Sequence, residues 1–79
     1  MTFTEALKKE KRWHRRAIII NLYHNRMLLK RDKWSIRKTS KSLGISLGYT
    51  CEAIKLANAI IEDPELEKMT RQDVLEKLK

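Results

Sequence analysis

Hydrophobic positions recur at helical spacing along most of the chain, and no stretch shows the alternation that is typical of a strand. Residues 1–31 contain neither glycine nor proline, so the pattern predicts a long N-terminal helix. That helix either breaks near His14 or Asn25 or projects beyond the core. Its second half has an apolar arc that is predicted to face the core, with Asn21 and His24 on the opposite side. The arc consists of Ile19, Ile20, Leu22, Tyr23, Met27 and Leu29.

Capping residues mark the shorter helices that follow. Ser35 is placed to cap a helix that ends at Gly44, because glycine readily adopts the left-handed conformation that terminates a helix. Ser46 is placed to cap the next helix, and Pro64 suits the first turn of a further one. The sequence therefore predicts an all-α domain of four to five helices. Its expected organisation is one domain over residues 1–79, with a long basic helix (1–31), a central helical pair (35–62) and short C-terminal helices (63–79).

Size and composition exclude several classes of protein. With 79 residues and 9.4 kDa, the chain has room for one small core and none for the deep pocket of a large enzyme. Cys51 is the single cysteine, which excludes an intramolecular disulfide. His14 and His24 lack cysteine or carboxylate partners at metal-ligand spacing and are expected on the surface. We therefore expect a protein that is not an enzyme and that uses no cofactor, metal or small-molecule substrate.

The sequence also bears on location. No segment approaches the roughly 20 apolar residues that a membrane-spanning helix needs. Glu5 and Glu10 are interspersed among the N-terminal bases, which is atypical of a signal or transit peptide. These features predict a protein of the cytoplasm of a bacterium or an infected host cell, without a membrane partner.

The net charge of +8 is concentrated in the first half of the chain. Residues 1–41 hold 13 bases and 3 acids, whereas residues 42–79 hold 5 bases and 7 acids. This asymmetry favours a polyanionic partner, and nucleic acid is preferred to a membrane surface. A basic amphipathic helix that docks on a membrane or a protein is the alternative. The N-terminal bases that are expected to contact a DNA backbone are Lys8, Lys11, Arg12, Arg15 and Arg16.

A second stripe on the N-terminal helix is apolar. On a projecting helix it would be exposed, so it is a candidate contact for a homodimer. The alternative is that Trp13 simply covers the small core. The residues of this stripe are Phe3, Ala6, Leu7, Trp13 and Ala17.

The segment Leu43-Gly44-Ile45-Ser46, with a short helix before it and a longer helix after it, resembles the helix-turn-helix of bacterial, phage and plasmid DNA-binding proteins. Gly44 permits the positive φ of the turn, Leu43 and Ile45 bury on either side, and Ser46 caps the second helix. The resemblance covers about a third of the chain. Thr39 and Thr50 depart from it, since the family usually places larger aliphatic residues there. The residues expected to pack the second helix on the first are Ala53, Ile54, Ala57 and Ile61.

The resemblance implies that the second helix enters the major groove of duplex DNA. Its groove-facing positions are Ser46, Leu47, Gly48, Tyr49, Cys51, Glu52 and Lys55. None of them is the arginine, asparagine or glutamine that commonly reads guanine or adenine, so base readout is expected to be weak. The bases of the first helix that are expected to contact phosphates are Arg37, Lys38 and Lys41.

The resulting hypothesis is a small DNA-binding transcriptional regulator from a phage, plasmid or bacterium, acting as a monomer or dimer. The first alternative is an architectural or DNA-packaging protein with little sequence specificity. The second is a helix-turn-helix that has become a protein-interaction module.

Overall fold

A computed structural model describes residues 2–79, and over this range every regular element is a helix, which confirms the all-α prediction. Met1, the first residue of the predicted ranges 1–79 and 1–31, lies outside the described residues. The described helices share one hydrophobic core and fill a volume of 33 × 25 × 20 Å. They are α1 (Phe3–Lys9), α2 (Trp13–Lys30), α3 (Ile36–Leu43), α4 (Leu47–Glu62), a 3₁₀ helix (Pro64–Lys68) and α5 (Arg71–Lys77).

The N-terminal segment breaks between α1 and α2, close to His14, so of the possibilities that the sequence leaves open a break occurs, and no single helix runs to residue 31. The carboxylate of Glu10 accepts hydrogen bonds from the backbone amides of Lys11 and Arg12, both at 3.1 Å. At the other side of the break, Nη1 of Arg16 donates to the carbonyl oxygens of Leu7 (2.5 Å) and Glu10 (3.0 Å). Side chains thus satisfy backbone groups that a continuous helix would have paired internally. The break allows α1 to fold back on α2.

This folding back occupies the stripe that was predicted to mediate a homodimer. Leu7 and Ala17 are 3% and 2% exposed and belong to the core. The ring of Phe3 meets that of Tyr23 edge-on at 5.3 Å, and Phe3 and Trp13 both pack against the core. Ala6 is half-buried. The stripe is therefore not a free surface, and we no longer assign an association to it.

The predicted core face of α2 is also wrong in part. The buried residues of α2 are Ala17, Ile20, Asn21 and His24. Ile20 is the only member of the predicted arc among them, whereas Leu22 is 55% and Leu29 is 91% exposed. Apolar residues surround most of this helix, so periodicity alone does not select the buried side. On the side that is buried, His24 has a hydrogen-bond partner in α3.

This hydrogen bond belongs to a buried polar cluster between α2 and α3. Nδ1 of His24 lies 2.7 Å from Oγ1 of Thr39, and Nε1 of Trp34 donates to the same oxygen at 2.7 Å. Thr39 is fully buried and His24 is 7% exposed, so the surface position predicted for His24 is wrong. Burial lowers the pKa of His24 below its ordinary value of 6.5. His14 is half-buried as well, and its Nδ1 has no hydrogen-bond partner in residues 2–79.

The connection between α3 and α4 follows the predicted capping residues. Oγ of Ser35 accepts from the amide of Lys38 at 3.3 Å, which begins α3. Gly44 ends it with φ +70° and ψ +34°, in the left-handed region. Oγ of Ser46 accepts from the amide of Tyr49 at 3.2 Å and begins α4. Two helices joined by a tight turn therefore occupy 35–62.

Helix α4 lies at the centre of the fold, with α2 and α3 packed against it and the 3₁₀ helix against its end. Its buried residues are Thr50, Ala53, Leu56, Ala57 and Ile60. Ala53 and Ala57 confirm the packing prediction, Ile54 is half-buried, and Ile61 contradicts the prediction because it is 66% exposed. The hydroxyl of Thr50 donates to the carbonyl of Ser46 at 2.7 Å, which explains a polar group at a crossing of helices.

Candidate nucleic-acid interface

One side of α4 faces solvent along its whole length. Leu47, Gly48, Cys51 and Lys55, all predicted groove positions, lie within an arc of about 100° on this side. Leu47, Gly48 and Lys55 are exposed, Cys51 is half-buried, and the capping residue Ser46 is exposed at the start of the arc. Asn58 and Glu62 extend the same arc towards the end of the helix and are exposed. We call the surface that ends at Asn58 the α4 face; it comprises Ser46, Leu47, Gly48, Cys51, Lys55 and Asn58.

Asn58 belongs to the α4 face although the sequence interpretation omitted it. The resemblance to a helix-turn-helix places groove contacts only in the first two and a half turns after Ser46, and Asn58 lies beyond them. Around the axis of α4, Leu47 and Asn58 differ by only about 20°. Helical periodicity therefore indicates that both lie on the same side of the helix. An amide side chain that can pair with adenine is therefore present, three turns from the start of the helix.

Tyr49 and Glu52 do not belong to the α4 face, although both were predicted to face the groove. Tyr49 is half-buried, and its hydroxyl accepts a hydrogen bond from Nε of Arg16 at 3.0 Å. Glu52 forms a salt bridge with Arg71 through Oε2 and Nη2. The guanidinium carbons of Arg16 and Arg71 lie 5.9 and 5.8 Å from the centre of the Tyr49 ring, as in cation–π contacts. These four side chains join α2, α4 and α5.

The same cluster corrects the role expected for Arg16. Its guanidinium is half-buried and donates to Leu7, Glu10 and Tyr49, so it holds the chain together at the break between α1 and α2. Arg71 also lies against the Tyr49 ring and joins α5 to α4 through its salt bridge with Glu52. The sequence interpretation did not single out Arg71, because nothing local connects a residue at the start of α5 with the first turns of α4.

The N-terminal end of α4 is suited to an anion. The first amides of a helix have no carbonyl partner within the helix, and the helix dipole adds partial positive charge at this end. No acidic residue lies in the first turn of α4, and Leu47 and Gly48 leave it open to solvent. A phosphate group at this position would meet backbone N–H groups directly.

The bases of α3 share one exposed side of that helix. Arg37, Lys38 and Lys41 occupy an arc of about 100° opposite the buried Thr39, Ser40 and Leu43. Nζ of Lys38 donates to the carbonyl of Lys33 at 3.3 Å, whereas Arg37 and Lys41 form no ion pair within residues 2–79. We call these three residues the α3 bases. The helix that directly precedes the turn into α4 therefore carries three exposed cations.

Four of the five N-terminal bases that were assigned to a DNA backbone are exposed, namely Lys8, Lys11, Arg12 and Arg15. They lie at the end of α1, at the break and at the start of α2. Arg16 contacts both the backbone at this break and Tyr49 of α4, so the distance from the break to α4 is no more than the length of one arginine side chain.

The carboxylate of Glu10 at this break has a lowered pKa. The main cause is its hydrogen bond from the amide of Arg12; the amide of Lys11 and the positive charges of Arg15 and Arg12 lower the pKa further.

Other kinds of site find no support in residues 2–79. This part of the chain contains no group of three or more histidine, cysteine or acidic side chains that could hold a metal ion. Nor does any of its helices combine the length and the apolar character that crossing a membrane requires.

No protein-family model matches the sequence, and neither curated proteins nor solved structures show significant similarity to it.

Proposed function

We propose that this protein binds duplex DNA through the α4 face, as a small helix-turn-helix protein without enzymatic activity. The observation that carries the proposal is the combination of three features in one segment of the chain. A left-handed Gly44 turns the chain between α3 and α4, the first turn of α4 is open and free of acids, and α3, which directly precedes the turn, carries three exposed bases. This is the arrangement in which a helix end enters the major groove while basic side chains hold the phosphates.

Most of the affinity comes from phosphates in this proposal. The α3 bases, Lys8, Lys11, Arg12, Arg15 and the amides at the start of α4 supply the contacts, and the concentration of charge in residues 1–41 supplies the long-range attraction. We leave Arg16 out of these contacts, because its Nε and Nη1 already donate within the chain.

Base readout rests on few side chains. With Tyr49 and Glu52 turned to Arg16 and Arg71, Leu47, Lys55 and Asn58 are the residues of the α4 face best suited to recognise a base edge. Leu47 suits a thymine methyl group, Lys55 suits guanine, and Asn58 suits adenine. We propose a transcriptional regulator of modest specificity in the cytoplasm of a bacterium or an infected cell. An architectural or packaging protein is the second candidate, favoured by this short list of base-reading groups.

Selection from a random duplex library at near-physiological salt tests the proposal. Recovery of a motif supports a regulator, and retention without a motif supports an architectural protein. Failure to retain duplex DNA at any salt concentration would overturn the proposal and leave a protein or RNA partner. Lys55→Ala then separates base contact from phosphate contact: a selective loss on the recovered motif indicates base contact, and an equal loss on scrambled duplexes indicates phosphate contact. Lys77→Ala, on α5, is the matched control.

A further inference from the structure

Two surface patches each combine exposed apolar side chains with charged ones. The first patch is basic and the second is acidic. The first lies at the C-terminal end of α2, where Leu29 is 91% and Leu28 is 49% exposed. Lys30, Arg31 and Lys33 follow directly and are exposed, and Asp32 is the one acid among them. Helix α2 itself contains no acidic residue. We call Leu28, Leu29, Lys30, Arg31 and Lys33 the basic leucine patch.

The second patch lies where α4 gives way to the 3₁₀ helix. Ile61 is 66% exposed, and the exposed acids Glu62, Asp63 and Glu65 follow it closely in sequence. The last turn of α4 carries no base. Lys68 lies 3.1 Å from Glu65, but neither Glu62 nor Asp63 has an ion-pair partner within residues 2–79. We call Ile61, Glu62, Asp63 and Glu65 the acidic isoleucine patch.

We infer that the basic leucine patch of one copy docks on the acidic isoleucine patch of a second copy. Each patch combines exposed apolar and charged side chains that are close in sequence, and the charges of the two patches have opposite signs, so both burial and charge favour the contact. The two patches do not satisfy each other within one chain, because Leu29 and Ile61 are both mostly exposed in the folded molecule.

A contact between two different patches is heterologous. Every copy that uses one patch leaves its other patch free, so the contact propagates from copy to copy and forms a ring or an open filament. This differs from the homodimer predicted from Phe3 and Trp13, in which both copies would use the same surface. The inference does not depend on the proposed DNA binding.

A second copy explains the surface better than an anionic membrane does. A membrane would cover the basic leucine patch, but it would repel Glu62 and Asp63 and leave Ile61 in water. The second copy covers both patches, and it brings complementary charges in equal number.

The test compares sedimentation of the natural chain, Leu29→Glu and Ile61→Lys, each alone and then mixed in equal amounts. Both replaced side chains are mostly exposed, so the folded monomer tolerates the substitutions; helical circular dichroism and thermal melting verify this. We expect the natural chain to grow in mass with concentration and each variant to remain a monomer. The mixture is expected to give a species of two chains, because each variant retains the patch that the other has lost. Leu78→Lys, which replaces a 46% exposed leucine outside both patches, is the control.

Each single substitution should weaken association by about tenfold or more, the amount expected for losing one buried aliphatic contact. A natural chain that stays monomeric at about millimolar concentration would overturn the inference. So would a mixture in which no species of two chains forms, which would indicate a symmetric contact. Pelleting with vesicles that contain anionic lipid, abolished by Leu29→Glu while the natural chain sediments alone as a monomer, would assign the basic leucine patch to a membrane instead.

Discussion

Helices α2 and α4 are of similar length and pack against each other, yet half of the buried residues of α2 are Asn21 and His24, whereas Thr50 is the one polar residue that α4 buries. Helix α4 buries aliphatic side chains and turns Lys55, Asn58 and Glu62 to solvent, as expected of an amphipathic helix. Helix α2 buries Asn21 and His24 and leaves leucines in water. The core accounts for most of the composition of α4, apart from the exposed Leu47 and Ile61, but for less of the composition of α2.

The difference indicates which surfaces have a further purpose. Exposed leucines gain nothing from the fold of one chain, and Leu28 and Leu29 are the two that we assign to a contact with a second copy. Buried polar groups stabilise little unless they are fully paired, so His24 depends on Thr39. The following four predictions examine this contrast, in order of decreasing effect.

The largest difference should separate a buried leucine of α4 from an exposed leucine of α2. Leu56 is 2% exposed, and Leu56→Ala is expected to lower the free energy of unfolding by about 2–5 kcal/mol through lost burial and a cavity. Leu29→Ala should change it by less than about 0.5 kcal/mol. Urea unfolding followed by circular dichroism measures both. A comparable loss in the two variants at a concentration where the chain is monomeric would contradict the assignment of the core.

The conformation of the turn before α4 requires a glycine at Gly44, whereas the helical conformation of α4 does not require a glycine at Gly48. Gly44 has φ +70°, so Gly44→Val should cost about 2 kcal/mol or more. Gly48 lies in the helix with no atom within 4 Å of an added Cβ. Gly48→Ala should therefore stabilise the helix by up to about 1 kcal/mol. Thermal melting distinguishes the loss of stability expected for Gly44→Val from the gain expected for Gly48→Ala. An unchanged melting temperature for Gly44→Val would contradict the left-handed turn at Gly44.

The polar cluster that α2 buries should depend on a single hydroxyl. Thr39→Val removes the acceptor of the Trp34 Nε1–H bond and the partner of His24, and we expect a loss of about 1–3 kcal/mol. Thr50→Val is the matched control in α4. Its loss should be smaller, because the Ser46 carbonyl still accepts the amide of residue 50 at 3.0 Å. Equal losses from denaturant unfolding would show that the hydroxyl of Thr39 has no special role.

The smallest effect concerns pH. Burial lowers the pKa of His24 in the folded chain, so the unfolded chain takes up a proton first when the pH falls below about 6.5. The contribution of His24 to the free energy of unfolding should therefore be constant above that pH and decline below it. It should level off once the pH is below the pKa of His24 in the folded chain. In His24→Gln this component should be absent. Melting curves between pH 8 and 5, about that ordinary value, compare the two chains; the same decline in both would assign it to other groups.

The helix boundaries governed by local chemistry were predictable from the sequence. Ser35, Gly44, Ser46 and Thr70 act on amides or carbonyls a few residues away, so the information needed lies within one turn. The solvent side of α4 was largely predictable for the same reason, since fixing one buried residue fixes the rest of the helix.

What could not be predicted depends on contacts between distant parts of the chain. The break after Lys9 involves no glycine or proline and is held by the side chains of Glu10 and Arg16. Arg16 of α2 and Arg71 of α5 both contact the ring of Tyr49, which therefore does not belong to the α4 face. The spacing of these residues in the sequence does not indicate the contact. The buried side of α2 likewise depends on a threonine in α3.

The most direct test of the account is the affinity of duplex DNA for two variants of equal charge. Arg37→Ser/Lys38→Ser/Lys41→Ser removes the α3 bases, and Lys68→Ser/Lys77→Ser/Lys79→Ser removes three exposed lysines from the C-terminal region. Fluorescence anisotropy over a series of salt concentrations measures the affinity and its salt dependence. We predict that the first variant binds about tenfold or more weakly and that its slope of log K against log salt falls by about two to three. The second variant should remain close to the natural chain. Equal losses in both variants, or a natural chain that binds no duplex, would contradict binding through α3 and α4.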